Sequence, residues 1–276
     1  MQPVLTIILG DRLFAFASYS TLMYLAAAVG LSLGLLMAAR RGLPLWRVAI
    51  CALLMVLATP IGARLLDATT KTEFYAKDPG QLLALHVYGF SFFGGMLLAL
   101  LVGWASCRVL RLDVRRMADT LTPALGVSIA LMRVGCFLAG CSFGEQTDLP
   151  WGVVFPRGSD AHIYQLTRGV GLFFLQVQPV HPTQLYEAAA GILAAALAMW
   201  LLRRNAPDGT AFLAACAWFA AFRELNHFLR VPGSALTTPD WFYPGLYAAI
   251  FAFSLGILLL RHTPAALTSR SQTLPL

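Results

Sequence analysis

Several charged side chains lie inside segments that are otherwise apolar, and these are the residues that could bind a charged ligand. Arg133, Glu187 and Arg223 each interrupt such a segment. An arginine near the centre of a membrane helix costs about 2.5–3.5 kcal/mol on insertion scales, so it needs an anionic partner. A guanidinium keeps its proton and matches the oxygens of a phosphate. The pattern favours a phosphate site at Arg133 and Arg223; the alternative is that Arg133 only reaches outward or pairs for packing.

Further polar residues accompany these three. Gln184 and Glu187 are one helical turn apart and share a face, so Glu187 is a candidate carboxylate partner for an arginine. Arg223, His227 and Arg230 have the spacing i, i+4, i+7 and are expected on one stripe of a helix that lines a protein interior or a wet cavity. Two alternatives stay open: a purely structural ion pair at Glu187, and an interfacial position for Arg230.

The five cysteines form no CxxC pair, so neither a zinc site nor a disulfide framework is predicted. The sequence indicates no other metal and no organic cofactor. Cys136 lies three residues after Arg133 on the same helix face, where the cation favours a nucleophilic thiolate. It is a candidate carrier of a covalent intermediate, or else a small packing residue. Cys141 lies about 140° further around a helix, so a disulfide with Cys136 requires the helix to end between them.

The composition excludes a water-soluble globule. Hydrophobic residues make up 58% of the 276-residue chain and charged residues 12%, whereas a soluble domain has about a quarter charged residues. The predicted fold is all-α, a polytopic membrane protein of about seven transmembrane helices. The predicted spans are 19–39, 46–63, 83–107, 118–140, 183–202, 209–230 and 240–260.

Short basic tracts follow the first, third, fifth and seventh spans, so all of them fall on one side. The positive-inside rule makes that side cytoplasmic, with the amino terminus outside and the carboxyl terminus inside. Residues 1–262 are expected to form one transmembrane domain, with a small extracytoplasmic head at about 141–181. Residues 263–276 are expected to be a disordered cytoplasmic tail. The basic residues form no stripe interleaved with aromatics, so nucleic acid is not a predicted partner.

Short motifs follow one another between about residues 18 and 230. In chain order they are Leu22-Met-Tyr24, Gly62-Ala-Arg64, Gly89-Phe-Ser-Phe-Phe-Gly-Gly95, Arg133-Val-Gly-Cys-Phe-Leu-Ala-Gly140, Gly144 followed by Leu149-Pro-Trp-Gly-Val-Val-Phe-Pro156, His181-Pro-Thr-Gln-Leu-Tyr-Glu187, and Phe222-Arg223 with Phe228-Leu-Arg230. Together they resemble the prolipoprotein diacylglyceryl transferase family.

The resemblance implies a bacterial inner-membrane enzyme with two substrates, the phospholipid phosphatidylglycerol and a lipoprotein precursor peptide. Such an enzyme moves the diacylglyceryl group onto the thiol of a lipobox cysteine and releases glycerol phosphate. Arg133 and Arg223 would then hold the phosphate and stabilise its charge as it departs. The further catalytic candidates are Glu187, His227 and Cys136. The candidate substrate-binding residues are Gly94, Gly95, Gly144, Gln184, Tyr186, Arg230 and Arg64.

The sequence also departs from the family pattern. Phe93 stands where the family has a histidine, so the usual imidazole base is missing there. Either His227 or Glu187 assists deprotonation of the thiol, or no dedicated base is needed because departure of the phosphate dominates. Two asparagines and a glutamate of the family's arginine motif are replaced by Cys136, Ala139 and Cys141.

Three functions therefore stay open. The first is the family's own transfer reaction, and the second is transfer of a lipid group to another acceptor by a divergent paralogue. The third is phospholipid binding or transport in a cavity that has lost its chemistry. The helix pattern shows no internal repeat of the kind that many secondary transporters have, which disfavours transport.

Overall fold

The computed structural model describes residues 4–9, 12–78, 80, 92–168, 177–231 and 241–262. An antiparallel hairpin of β1 (Val4–Leu9) and β2 (Arg12–Ala17) precedes the helices. The helices are α1 (Ser18–Arg40), α2 (Leu45–Thr70), α3 (Thr72–Lys77), α4 (Phe92–Val109), α5 (Val114–Ala139), α6 (Asp160–Thr167), α7 (Thr183–Arg203), α8 (Thr210–His227) and α9 (Phe242–His262).

Within the described ranges, five helices are long and apolar enough to cross a membrane: α1, α2, α5, α7 and α9. Helix α4 is also apolar but shorter. Helix α8 has 18 residues and carries Arg223 and Glu224 in its last two turns. The chain is therefore a polytopic membrane protein, as its composition predicted.

The prediction of an all-α fold missed the amino-terminal hairpin. Each strand has six residues, and β1 is rich in Ile, Leu and Val. The sequence places only Gly10-Asp11 between the two strands, and a two-residue connection with glycine is a hairpin signal. The apolar character of both segments masked that signal.

Two predicted helix ends are wrong. Helix α2 was expected to end at residue 63 but continues to Thr70, because Asp67 pairs with Lys71 one turn later, at 2.8 Å, and the helix tolerates this polarity. Helix α8 was expected to reach Arg230 but ends at His227, where the backbone begins to bond to the segment after α5. Residues 83–91 of the third predicted span and the predicted tail at 263–276 lie outside the described residues.

Close backbone contact between α5 and α7 sets the core of the bundle. A Cβ atom on Gly126 would lie 2.5 Å from the backbone oxygen of Gly191, and one on Gly191 would lie 2.8 Å from that of Gly126. Helix α1 packs on the other side of α5, where Ser128 donates to the backbone oxygen of Ala26 at 2.9 Å. Small residues let membrane helices approach this closely, and their contact fixes the relative register of α5 and α7.

The segment between α5 and α7 folds on a small apolar core of its own. It contains α6, and backbone bridges join Gln146 and Val153 to Val180. The buried members of this core are Phe143, Phe155, Ala161, Val180 and Val231. Val231 follows α8, so this head, residues 141–168 and 177–181, is attached to two parts of the bundle.

The arginine-bearing loops and helix ends meet at one end of the bundle, as the charge pattern predicted. Nη2 of Arg41 lies 2.9 Å from Oδ1 of Asp208, and Nη2 of Arg116 donates to the backbone oxygen of Arg41 at 2.6 Å. Arg261 donates to the backbone oxygen of Asp208 at 3.2 Å. Arg133 lies about 25 Å further along α5 from Arg116, toward the opposite end.

Asp119 joins α5 to the start of α8. Its side chain is buried and accepts hydrogen bonds from the backbone N–H groups of Gly209, at 2.7 Å, and Phe212, at 2.8 Å. The first N–H groups of a helix have no acceptor within the helix. The carboxylate of Asp119 is the acceptor for two of these groups at the start of α8. It thereby fixes α8, which carries Arg223, against α5, which carries Arg133.

Substitution Asp119→Ala leaves those N–H groups buried without their acceptor. We expect it to lower the free energy of unfolding by about 1–3 kcal/mol. Thermal unfolding of the purified protein in detergent measures this change, and Asp148→Ala, at an exposed carboxylate, is the control. Equal melting temperatures for the two variants would show that the cap contributes nothing.

Candidate functional site

Glu187 lies at the centre of a buried polar cluster. Its side chain is 1% exposed; Oε2 lies 2.5 Å from Nε of Arg133, and Oε1 pairs with Nη1 of Arg223. One carboxylate on α7 thus joins an arginine of α5 to an arginine of α8. The structure brings together the three residues that the sequence singled out for their charge.

Two more groups reach the same carboxylate from the end of α8. Nδ2 of Asn226 donates to Oε1 of Glu187 at 2.9 Å, and Nη1 of Arg230 lies 3.8 Å from that oxygen. Nη2 of Arg230 donates to Oγ of Ser142 at 2.9 Å. Arg230 therefore belongs to the cluster, and its bonds favour a site role over a purely interfacial one. We call Arg133, Arg223 and Arg230 with Glu187 the arginine cluster.

The arginine cluster carries an excess of two positive charges, because three guanidinium groups face one carboxylate. Burial and the neighbouring Arg133 charge lower the pKa of Arg230, although an arginine still keeps its proton. Side-chain exposure rises from 11% at Arg133 through 16% at Arg223 to 26% at Arg230. The cluster is thus suited to attract an anion that approaches from the side of Arg230.

Helix geometry explains why Arg133 and Glu187 meet. Arg133 lies seven residues after Gly126 on α5, and Glu187 lies four residues before Gly191 on α7. Both spacings keep a residue on the same helix face. Because Gly126 and Gly191 touch, the two charged side chains project into one seam. The two glycines therefore fix the contact between α5 and α7, and this contact brings Arg133 and Glu187 together.

An aromatic wall lies beside Arg223. Nη2 of Arg223 donates to the hydroxyl of Tyr247 at 2.7 Å, and its guanidinium lies 5.2 Å from the centre of that ring. Phe93 stacks on Tyr243 with the ring centres 5.4 Å apart, and the ring of His227 lies 6.4 Å from that of Tyr243. The wall consists of Phe93, His227, Tyr243 and Tyr247. His227, expected on one stripe with Arg223 and Arg230, packs in this wall.

Four further residues of the site were not predicted from the sequence: Ser142, Asn226, Tyr243 and Tyr247. The two tyrosines are one turn apart on one face of α9, and this spacing was an available signal. Asn226 adds to the polarity of its apolar segment, but its contact with Glu187, like that of Ser142 with Arg230, depends on the approach of distant segments.

Gln184 and Tyr186 attach the start of α7 to the head. Nε2 of Gln184 donates to the backbone oxygen of Cys141 at 2.6 Å. The hydroxyl of Tyr186 accepts a hydrogen bond from Nε1 of Trp151 at 2.8 Å. Oε1 of Gln184 is buried and has no hydrogen-bond partner among the described residues, so it is an acceptor that a ligand hydroxyl could use.

Gly144 fixes the position of Arg230. The two residues form an antiparallel bridge, and the N–H of Gly144 donates to the backbone oxygen of His181 at 2.9 Å. A Cβ atom on Gly144 would lie 2.6 Å from the backbone oxygen of Leu229. Only glycine leaves room for these segments, so Gly144 positions a phosphate-binding candidate through its backbone.

Gly94 and Gly95 pack against α2. A Cβ atom on Gly94 would lie 2.3 Å from the backbone oxygen of Gly62, and one on Gly95 would lie 2.8 Å from that of Thr59. These contacts support helix packing rather than contact with a headgroup as the role of the two glycines. By fixing α4 against α2, they also fix Phe93, which lies in the aromatic wall.

Arg64 lies in a second polar cluster near the end of α2. It is buried, and its Nη1 lies 3.4 Å from the hydroxyl of Tyr75, which in turn donates to Oδ2 of Asp67 at 2.8 Å. The structure therefore gives Arg64 polar partners of its own within α2 and α3.

Cys136 follows Arg133 by one turn on α5, as its spacing predicted. Its side chain is 4% exposed. Its backbone oxygen accepts from the N–H of Cys141 at 3.1 Å. The candidate nucleophile is thus close to the arginine cluster but nearly closed to solvent.

Neutralising Glu187 would leave three guanidinium groups facing each other. We expect Glu187→Gln to lower the free energy of unfolding by about 3–5 kcal/mol, because it breaks a buried ion pair on one side only. Thermal unfolding in detergent measures the loss. Glu224→Gln, which neutralises a carboxylate on α8 outside the cluster, is the matched control. A Glu187→Gln protein as stable as this control would contradict the central role of the carboxylate.

Comparison of the sequence with known proteins assigns the chain to a family. The sequence model of the family described as "Prolipoprotein diacylglyceryl transferase" matches residues 6–261. A phosphatidylglycerol–prolipoprotein diacylglyceryl transferase of Geobacter sulfurreducens is 33% identical over 246 residues, which cover 86% of this chain and 85% of the relative.

Two further relatives carry the same name. The protein of Nitratidesulfovibrio vulgaris is 30% identical over 197 residues, covering 70% of this chain and 68% of the relative. The protein of Clostridium tetani is 24% identical over 263 residues, covering 94% and 96%. The family model and these matches show that the chain belongs to the prolipoprotein diacylglyceryl transferase family.

Proposed function

We propose that this protein transfers the diacylglyceryl group of phosphatidylglycerol to the thiol of a cysteine in a lipoprotein precursor. The observation that carries the proposal is the arginine cluster, with its excess of two positive charges. A phosphodiester has one negative charge, and the glycerol phosphate that departs gains a second. The cluster therefore matches the departing group better than the bound lipid, and this difference is what accelerates a reaction.

The reaction exchanges one bond to carbon for another. The thiolate of the acceptor attacks the diacylglyceryl carbon next to the phosphate, a C–S bond forms, and the C–O bond to the phosphate breaks. The electron pair of that bond stays on the phosphate oxygen, beside the guanidinium groups. Arg133 pairs with Glu187 through Nε, so in the described part of the chain its two terminal nitrogens remain available to phosphate oxygens.

Glu187 holds the arginines in place. Its two oxygens are engaged by Arg133, Arg223 and Asn226. A carboxylate in this position orients the donors of the phosphate site before substrate binds, so no reorganisation is needed during the reaction. This arrangement favours a positioning role over proton transfer for Glu187.

His227 is the better candidate for the base that deprotonates the thiol. The thiolate is the nucleophilic form, and imidazole exchanges protons near neutral pH. Phe93 stands where the family has a histidine, and both Phe93 and His227 contact Tyr243 in the aromatic wall. An imidazole is thus present in the same wall, supplied by α8 instead of α4.

The topology that fits this reaction has seven membrane helices: α1, α2, α4, α5, α7, α8 and α9. The basic end, where Arg41, Arg116 and Arg261 meet, would face the cytoplasm. The arginine cluster and the head would then face outward from the bacterial inner membrane. The amino terminus would be outside and the carboxyl terminus inside.

A second candidate function is supported by Phe93. Because the family's histidine is absent there, the cluster could bind phosphatidylglycerol without catalysing transfer, or could serve transfer to another acceptor. Lipid binding without thioether formation would identify the binding role.

A transfer assay tests the proposal. The purified protein is incubated with phosphatidylglycerol vesicles and a lipobox peptide, and the diacylglyceryl thioether is detected by mass. We expect product from the unsubstituted protein and a rate about 10²–10³-fold lower from Arg133→Lys, since a lysine cannot reproduce the paired donors. Arg203→Lys, at the exposed end of α7, is the control.

The relative from Geobacter sulfurreducens provides the positive control for this assay. No product from the present protein under conditions where the relative is active would refute transfer to a lipobox cysteine. Equal rates for Arg133→Lys and Arg203→Lys would refute the phosphate role of Arg133.

The role of His227 is tested by its pH dependence. We expect His227→Gln to lower kcat about 10²–10⁴-fold near neutral pH with little effect on lipid binding. The deficit should shrink as the pH approaches the thiol's own pKa of about 8.5, because the acceptor then ionises without help. His162→Gln in the head is the matched histidine control. A pH profile unchanged by His227→Gln would remove His227 as the base.

A further inference from the structure

The chain turns sharply where α5 ends, between Cys136 and Cys141. Gly140 has a left-handed backbone with φ 81°, and its N–H donates to the oxygen of Phe137 at 3.2 Å. The N–H of Cys141 donates to the oxygen of Cys136 at 3.1 Å. This pair of bonds is the Schellman cap, in which the side chains at the two ends of the turn meet.

Those two side chains are both thiols. Sγ of Cys141 donates to the backbone oxygen of Cys136 at 3.6 Å, so the thiol of Cys141 turns back toward the end of α5 that carries Cys136. Both cysteines are free; Cys136 is buried and Cys141 is partly exposed. The helix therefore ends between them, which is the condition under which a disulfide becomes possible.

We propose that Cys136 and Cys141 form a reversible disulfide that controls the arginine cluster. In the first step the thiolate of Cys141 attacks an external disulfide, giving a mixed disulfide and one released thiol. Cys136 then attacks Sγ of Cys141 and displaces the second thiol. Two cysteine thiols are oxidised to one disulfide, and the external disulfide is reduced to two thiols that take up both protons.

The oxidant is a disulfide of a protein or of glutathione. Such oxidants act outside the inner membrane, so the proposal uses the outward orientation proposed above for this end of the bundle. The order of the two steps follows from exposure, because an external disulfide reaches Cys141 before the buried Cys136.

Direct contacts connect this pair to the site. Cys136 is one turn after Arg133 on α5, and the backbone oxygen of Cys141 accepts from Gln184. The next residue, Ser142, accepts from Arg230. Closing the disulfide moves the sulfur of Cys141 and the segment that carries these contacts. The geometry of a preorganised phosphate site depends on such positions.

The same structure disfavours Cys136 as a covalent carrier of the diacylglyceryl group. A thioether on Cys136 would contain the same stable C–S bond as the final product. Its carbon would no longer carry a phosphate leaving group, so a second thiolate could not displace it readily. The burial of Cys136 also separates it from an incoming peptide.

Thiol mapping of the full-length protein tests the disulfide itself. The protein in detergent is equilibrated with oxidised glutathione, alkylated after unfolding and digested for mass analysis. We expect a 136–141 crosslink that lacks two hydrogens, with alkylation at Cys51, Cys107 and Cys216. Cys51 and Cys107 are the internal control, because their sulfurs lie 3.8 Å apart but both are buried. Cys136→Ser should trap glutathione on Cys141, whereas Cys141→Ser should leave Cys136 unmodified.

The effect on the site has two readouts. Oxidation is expected to weaken binding of glycerol phosphate, measured by calorimetry, and to slow lipid transfer about 10- to 100-fold, both reversed by reduction. The transfer readout rests on the proposed function, whereas the binding readout does not. Cys141→Ser should show no response to oxidant relative to its own reduced rate, and Cys216→Ser should respond like the unsubstituted protein.

The outcomes separate the two proposals. Absence of the crosslink in oxidised glutathione, or a crosslink with unchanged glycerol phosphate binding, overturns the disulfide proposal whether or not transfer occurs. No transfer in either redox state, together with the crosslink and altered binding, overturns the proposed function alone.

Discussion

The ion pairs of Glu187 are the constraint on which the site depends. Removing charged groups from water costs several kcal/mol per ion, and the cost is recovered only when the geometry of the pairs is well formed. Here one carboxylate that is 1% exposed engages Arg133 on α5 and Arg223 on α8. The register of three helices must therefore be set to within a fraction of a turn. The contact of Gly126 with Gly191 fixes the register of α5 relative to α7.

Electrostatics also explains why the cluster is left unbalanced. A second carboxylate would halve this excess and a third would remove it, so a bound phosphate would meet less or no attraction. With one carboxylate for three arginines, the helices hold the cations together while an excess of positive charge remains. The surrounding low dielectric strengthens the interaction of that excess with an incoming anion. The hydroxyl and the ring of Tyr247 offset part of the free-energy cost of removing Arg223 from water, and they leave its positive charge in place.

The sequence predicted the charged residues and the helices, because each meets a strong energetic requirement of a membrane protein. Arg133, Arg223 and Glu187 could be recognised because charges inside apolar segments need compensation, and the helices could be recognised because a membrane requires long apolar runs. Tyr247 was harder to recognise, since a tyrosine in an apolar segment looks like an ordinary interfacial residue, and only its one-turn spacing from Tyr243 distinguishes it.

The end of α8 at His227 depends on contacts that the sequence does not show. The N–H of Glu145 donates to the backbone oxygen of Leu229, and that of Val231 donates to the oxygen of Phe143, at 2.9 and 3.3 Å. These bonds replace helical ones and turn Arg230 toward the cluster. The end of α8 is therefore decided by competition between helical hydrogen bonds and bonds to a distant segment. The outcome of this competition depends on the fold and cannot be read from the sequence.

The aromatic wall bears on the position of Phe93, where the resemblance to the family leads us to expect a histidine. In the proposed reaction a base would act at the acceptor thiol, whereas the arginines would hold the phosphate, so the two tasks would be separate in space. Phe93 on α4 and His227 on α8 both pack on Tyr243 of α9. An imidazole from either helix therefore borders the same region beside Arg223. If the proposed base lies in this wall, the helix that supplies it is free to change as long as the arginine cluster stays fixed.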